Sequence, residues 1–172
     1  MRKLFAVILL AFLVSSCGVE QPDGIQPVKN FNVKKYMGRW YENVRLDHRF
    51  ERGMNSVTAD YSRNANGSIT IKNSGYMVKR QEWRAAEGVA AFVETEKVGF
   101  LKVSYIRPFY YPYVIFKVDE DYEWAFVAGK DMSFLWLLSR EPEVDWDVRQ
   151  DFISEAKKLG FDTSQLIFVE HI

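Results

Sequence analysis

The chain has one cysteine, two histidines, no net charge and no apolar run long enough to cross a membrane as a helix. Each scarcity removes a class of function. A single thiol, Cys17, cannot form an intramolecular disulfide, so an oxidising compartment is permitted but not used for stapling. With only His48 and His171, and His171 next to the end of the chain, a convergent metal or acid–base centre lacks its usual ligands. The sequence contains no His-x-Glu, Cys-x-x-Cys, Gly-x-Ser-x-Gly or glycine-rich phosphate loop, so no catalytic residue, metal or cofactor is expected. Lys and Arg number 23 against 23 Asp and Glu, and without a leader bearing Arg2 and Lys3 they number 21 against 23. No basic stripe is present, which argues against a nucleic-acid partner. The longest apolar run, Leu4 to Val14, is eleven residues, well short of the roughly 20 a spanning helix needs.

What the chain has in plenty is apolar and aromatic mass, 48% and 16% of its 172 residues. That suffices for one folded domain with a sizeable interior. The start, Met1-Arg2-Lys3 before the apolar run, is the pattern of a secretory signal. Residues 1–16 are expected to be that signal, with 17–30 as an N-terminal tether and 31–172 as the folded domain. Gly18 to Asn30 holds Pro22, Gly24 and Pro27 among polar residues without periodicity, which predicts a flexible linker.

From Gly38 to Arg140 short alternating segments are separated by turns. Val57, Ala59 and Tyr61 alternate with Thr58, Asp60 and Ser62, a half-buried strand. Asn66-Gly67 is a hairpin signal. Further strands are expected from Ile69, within Lys79 to Val93, and over Gly99–Ile106, Tyr111–Val118, Glu123–Ala128 and Ser133–Ser139. With an opening strand from Tyr41 to Leu46 these make eight, joined in sequence order. Such a meander closes into an eight-stranded antiparallel up-and-down β-barrel whose interior holds one small ligand. A two-sheet sandwich is the alternative, though sandwiches favour Greek-key crossovers. Pro142 ends extended structure, and Asp145 is placed to cap a helix through about Leu159 with Val148, Phe152, Ala156 and Leu159 as its apolar stripe. Gly160 follows as its C′ residue. A short strand at Leu166–Val169 ends the chain.

Strand parity predicts the lining. The candidates are Tyr61 on the second strand, Ile71 and Asn73 on the third, Val103 on the fifth, and Phe134 and Trp136 on the eighth. The sixth strand is ambiguous, since Val114 and Phe116 or Tyr113 and Ile115 could face in. An inward Asn73 amide needs a partner, because a buried unsatisfied amide costs about 1–3 kcal/mol.

Gly38-Arg39-Trp40, followed a hundred residues later by Leu137-Leu138-Ser139-Arg140, strongly resembles the lipocalin family, in particular the bacterial outer-membrane lipocalins and their relative apolipoprotein D. The resemblance covers Phe31 to the C-terminus. It implies that Gly38, Trp40 and Arg140 form the closed-end scaffold, with the guanidinium stacked on the indole, and that the helix packs outside the barrel. It favours Tyr113 and Ile115 as the inward residues of the sixth strand. Val14-Ser15-Ser16-Cys17 resembles a lipobox, which implies acylation of Cys17 and, with Gly18 next, anchorage in the outer membrane facing the periplasm. The implied ligand is a fatty acid, lysophospholipid or similar apolar molecule, and the implied role is lipid transport or storage in the envelope by a monomer or weak homodimer. His48, Arg49, Arg52 and Arg107 are expected on loops flanking the open end, where a cation could meet an acidic head group. Two rivals stand beside this reading. One is an interaction module with a filled barrel, acting through the aromatic loop Pro108 to Tyr113. The other is a lipocalin-like enzyme, for which Glu42 and Glu87 are the available carboxylates.

Overall fold

In the computed structural model, which describes residues 18–171, one antiparallel sheet curls into a closed barrel. Its strands are β1 (Gly38–Leu46), β2 (Met54–Arg63), β3 (Ile69–Met77), β4 (Glu82–Phe92), β5 (Phe100–Ile106), β6 (Phe109–Val118), β7 (Trp124–Ala128) and β8 (Leu135–Ser139). Neighbours in sequence are neighbours in the sheet, and β1 pairs with both β2 and β8 to close it. Among the described residues no Greek-key crossover occurs and the sheet closes on itself, which excludes the two-sheet sandwich. The proposed signal and the lipobox with Cys17 lie outside the described residues.

The meander puts loops alternately at two ends. Loops 47–53, 78–81, 107–108 and 129–134 form one rim, and loops 64–68, 93–99 and 119–123 lie at the other. That second end is shut by a single helical turn, α1 (Val33–Tyr36), which Asn32 caps through its Oδ1 to the Lys34 and Lys35 amides at 3.1 and 3.3 Å. Phe31, Val33 and Tyr36 drop into the barrel beneath the fully buried Trp40. Arg140 locks this plug. Its guanidinium lies 3.8 Å from the Trp40 ring centroid and donates to the carbonyls of Lys35, Met37, Arg39 and Tyr122 at 2.6–3.2 Å. One cation thus ties α1, β1 and the β6–β7 turn to the end of β8. Gly38, at φ +96, turns the chain from the plug into β1 in a conformation that favours glycine.

A second core lies outside the barrel, between its wall and α2 (Trp146–Lys158). Phe152 and Ala156 are buried there against Val44, Val114, Phe126 and Leu137, with Val148 and Leu159 at the margin. Asp145 is the N-cap residue, but its side chain makes no capping bond. Lys117 leaves the wall to meet Asp151 on α2 at 2.6 Å. Past α2 the chain adds β9 (Leu166–Phe168) beside the upper half of β1, where β2 no longer pairs with it.

Residues 18–30 correct an expectation. Instead of a free linker they form a strap along the wall: Val28 N–H donates to Ile115 O and the Val28 carbonyl accepts from Gly99 N–H, both at 2.9 Å. Lys29 bridges to Val98, Ile25 is buried, and Val19 packs against the outer core. The prolines and glycine suppress periodicity here without freeing the segment, because Ile25 and Val28 supply apolar surface to bury.

Candidate functional site

Above Trp40 the barrel is hollow. A cavity of about 520 Å³ opens at the rim bearing loops 47–53, 78–81, 107–108 and 129–134. Seven of the eight lining residues expected from the sequence border it: Tyr61, Ile71, Asn73, Val103, Tyr113, Phe134 and Trp136. Phe134 sits just ahead of β8, in the preceding loop. Ile115 faces inward but lies below the cavity, buried in the interior core near α1, and does not border it. Val114 and Phe116 point the other way, into the core under α2, which resolves the sixth strand in favour of Tyr113 and Ile115.

The wall is incomplete on one side. β4 pairs with β5 only from Val89 to Phe92, so Glu82 to Gly88 have no strand on that flank. The β3–β4 hairpin therefore stands above the barrel and leaves a notch, through which Arg84, Ala85 and Ala86 border the cavity. Tyr105, from β5, leans into the notch with its ring against Gly88, where a Cβ would lie 2.8 Å away. Asn73 donates through Nδ2 to Tyr105 Oη at 2.8 Å, while its Oδ1 is buried without a partner. The amide foreseen to need a partner is thus half satisfied.

Two polar clusters punctuate the apolar lining. At the floor the Tyr113 hydroxyl lies 2.7 Å from that of Tyr36 and 2.8 Å from that of Tyr61. Burial pushes all three phenols above their ordinary range, so they remain hydroxyls. Three O–H groups share two mutual bonds, which leaves one hydrogen to offer upward.

The second cluster was not foreseen. Beta-strand alternation would put Arg45 outside, but a bulge between Glu42 and Val44 shifts the register and turns it in. Arg45, almost wholly buried, donates to Glu42 Oε1 at 2.8 Å and to the carbonyls of Glu51 and Met54. The Glu51 carboxylate accepts from Trp136 Nε1 at 3.1 Å and lies 2.9 Å from His48 Nε2. That approach is off the line of a hydrogen bond, and both ring nitrogens of His48 are buried without a hydrogen-bond partner among the described residues. Burial, together with the neighbouring Glu51, pushes the Glu42 carboxyl well above the usual carboxylate range, and Arg45 only partly offsets this. Burial would raise Glu51 too, but His48, Glu42 and Trp136 hold it below its ordinary value. The two carboxyls are thus pushed in opposite directions beside one guanidinium, Glu42 toward holding its proton and Glu51 toward releasing it. The only sequence signals were Glu42 and Arg45 flanking Asn43-Val44 in the second half of β1 and the His48-x-x-Glu51 spacing. Glu87, the other carboxylate considered, is on the outside, 3.8 Å from Lys72.

A raised native pKa means that the folded state holds a proton the unfolded chain releases, so stability falls as pH rises through Glu42's titration. Urea unfolding across a pH series should show that decline in the natural chain. Glu42→Gln, a neutral isostere, should flatten it.

Beside the mouth a second pocket of about 410 Å³ lies between the loops 47–53 and 129–134. It shares His48, Arg49, Phe50, Tyr111, Lys130 and Phe134 with the cavity, and adds Asp47, Arg52 and Ser133. Arg52 is held by Asp47 at 2.8 Å and Lys130 lies 3.6 Å from Asp131, while Arg49 rests over the Phe50 ring at 4.8 Å. His48 is 5% exposed, although it comes from a loop that the sequence placed at the surface.

Comparison with known proteins agrees with this geometry. The lipocalin-like domain family matches residues 31–171. The chain is 45% identical to the outer membrane lipoprotein Blc of Vibrio cholerae, covering 99% of both chains. It is 42% identical to the protein of that name in Escherichia coli K12, covering 97% of this chain and 95% of the relative. Mouse apolipoprotein D is 30% identical over 66% of this chain and 63% of its own. Among solved structures, insecticyanin from the tobacco hornworm superposes with a TM-score of 0.67 at 16% identity, covering 89% and 87% of the two chains. Lobster apocrustacyanin A1 gives 0.64 at 17%, covering 89% and 94%. At that identity the structural likeness bears on the fold alone.

Proposed function

The chain belongs to the lipocalin family, and from that premise we propose that it carries a single-chain lipid with an acidic head, a fatty acid or lysophospholipid, for transport or storage in the cell envelope. It is a lipid-anchored outer-membrane lipoprotein. On our reading Cys17 bears the anchor after removal of residues 1–16, and the barrel faces the periplasm. The observation that carries the proposal is the junction of an apolar cavity with a cationic pocket through shared residues, His48 and Lys130 among them.

The work is binding, without chemistry on the ligand. A volume of about 520 Å³ falls in the range of roughly 300–1,000 Å³ typical of small-molecule sites. The tail lies along Tyr61, Ile71, Val103, Tyr113, Phe134 and Trp136, where burial contributes about 0.8 kcal/mol per methylene. The head reaches Arg49 and Lys130 at the mouth, beside the buried ring of His48. Charge-assisted hydrogen bonds to such a head contribute about 1.5–3 kcal/mol each.

The test compares palmitic acid with hexadecanol, equal tails with unlike heads, in displacement of a fluorescent probe at neutral pH. The acid should bind more tightly, and Arg49→Gln with Lys130→Gln should erase most of that preference, on the order of a hundredfold, while hexadecanol is unaffected. Equal binding of both ligands by the natural chain would remove the head-group assignment. Binding of neither would remove the carrier.

A further inference from the structure

The mouth of the barrel is surrounded by a surface that a soluble protein ordinarily hides. Ten large apolar side chains stand exposed among the described residues, and eight of them lie on or beside the loops of the open end. Each of the four loops supplies at least one: Phe50, Trp83, Ile106 with Phe109, and Met132, from 41% to 73% exposed. None projects from the loops of the plugged end. Contiguous exposed apolar surface of this kind marks a contact site.

Charge is divided between the ends in the same sense. Residues 47–53, 78–84, 106–109 and 129–133 together carry seven Lys or Arg against four Asp or Glu. Loops 64–68, 93–99 and 119–123 at the other end carry one Lys against six Asp or Glu, beside Lys34, Lys35 and Arg140 of the plug. Several rim cations have acidic neighbours, Arg84 with Glu82 at 2.9 Å and Arg80 with Glu82 at 3.8 Å. No ion pair is formed by Lys79 or Arg107 among the described residues. A chain whose charges balance overall therefore presents a positive, apolar-tipped face at one end.

We infer that this rim docks on an anionic lipid surface, with the tips of the four loops in the head-group layer and the cations against the phosphates. Apolar tips framed by Lys and Arg match that interface on both counts, whereas the electrostatic attraction would be absent at a neutral surface. The strap adds proximity. Val19 packs on the barrel wall, and the backbone from there to Cys17 spans at most about 7 Å, so the lipid anchor leaves the body little room to stand away from the bilayer. The notch between β4 and β5 extends the mouth down one side, between Trp83 and Tyr105, so a tail can pass sideways from the bilayer to the cavity without crossing water. This docking surface goes beyond the carrier reading and stands or falls on its own measurement.

The full-length acylated protein is reconstituted in vesicles with the dye bimane attached through Met132→Cys at the rim or Glu120→Cys at the plugged end. Cys17 carries the anchor and takes no dye. On phosphatidylethanolamine–phosphatidylglycerol vesicles the rim dye should shift to the blue and become quenchable by spin-labelled lipid, while the dye at position 120 remains aqueous. Replacing phosphatidylglycerol with phosphatidylcholine should reduce the rim signal. Lys79→Gln, Arg80→Gln and Arg107→Gln together should lower the docked-to-free ratio about a hundredfold, at roughly fivefold per cation. Fatty-acid displacement on the same samples reports the carrier function separately. A rim dye that stays aqueous on anionic vesicles, or equal immersion of both dyes, would overturn the inference, as would full docking by the triple variant.

Discussion

Arg140→Ala lowers the free energy of unfolding by about 4 kcal/mol, the sum expected from a lost stack on Trp40 and the loss of a charged donor to several carbonyls. For a domain of this size that corresponds to a fall in Tm of roughly 10 °C. The reason is position. Arg140 satisfies carbonyls of Lys35 and Met37 at the end of α1, of Arg39 on β1 and of Tyr122 in the β6–β7 turn. Its removal uncaps the plug and unpins the β1–β8 seam together, whereas Trp40 keeps its own bond from Nε1 to Tyr36 O at 2.8 Å. Arg140→Lys should recover less than half of the loss, since an ammonium is a point charge that cannot spread along four carbonyls while lying flat on an indole. Thermal and urea unfolding of the three proteins checks both statements. Full stability in the lysine variant would show that charge alone closes the barrel.

The largest effect on binding is expected from filling the cavity. Ala59 lies on β2 opposite Trp40 and Asn73, and borders the cavity above the floor. In Ala59→Trp the indole takes space that about four methylenes of a tail would occupy. At about 0.8 kcal/mol each, affinity for palmitic acid should fall on the order of a hundredfold. The fold should survive, because the new side chain enters a void rather than a packed core. Shorter acids should lose less, and an octanoate-length tail should be nearly indifferent. A uniform loss across chain lengths would place the tail elsewhere.

Much of the architecture was legible because its causes are local. Val57-Thr58-Ala59-Asp60-Tyr61 alternates since Val57, Ala59 and Tyr61 line the cavity while Asp60 meets Arg39 on the outer face. The sixth strand was unreadable for the opposite reason. Tyr113 and Ile115 face the interior while Val114 and Phe116 pack beneath α2, so both faces are apolar and parity carries no signal. The strap escaped notice because a bridge from Lys29 to Val98 has no local signature. At the site, the apolar lining followed from parity, but the polar cluster did not. A single bulge after Glu42 reverses every later residue of β1, which brings Arg45 to Glu42 and lets Glu51 and His48 fold in over them. Only the odd spacing of Glu42 and Arg45 in the second half of β1 hinted at it. Ile115 shows the limit of parity in the other direction: facing inward does not place a residue beside the cavity.

The most direct measurement is native mass spectrometry of the protein extracted from its own outer membrane, followed by delipidation and reloading with palmitic acid. A hollow barrel predicts an added mass equal to one single-chain lipid, lost on delipidation and restored one-to-one by the acid. A protein that leaves the membrane with no added mass and takes up no fatty acid afterwards would contradict the account.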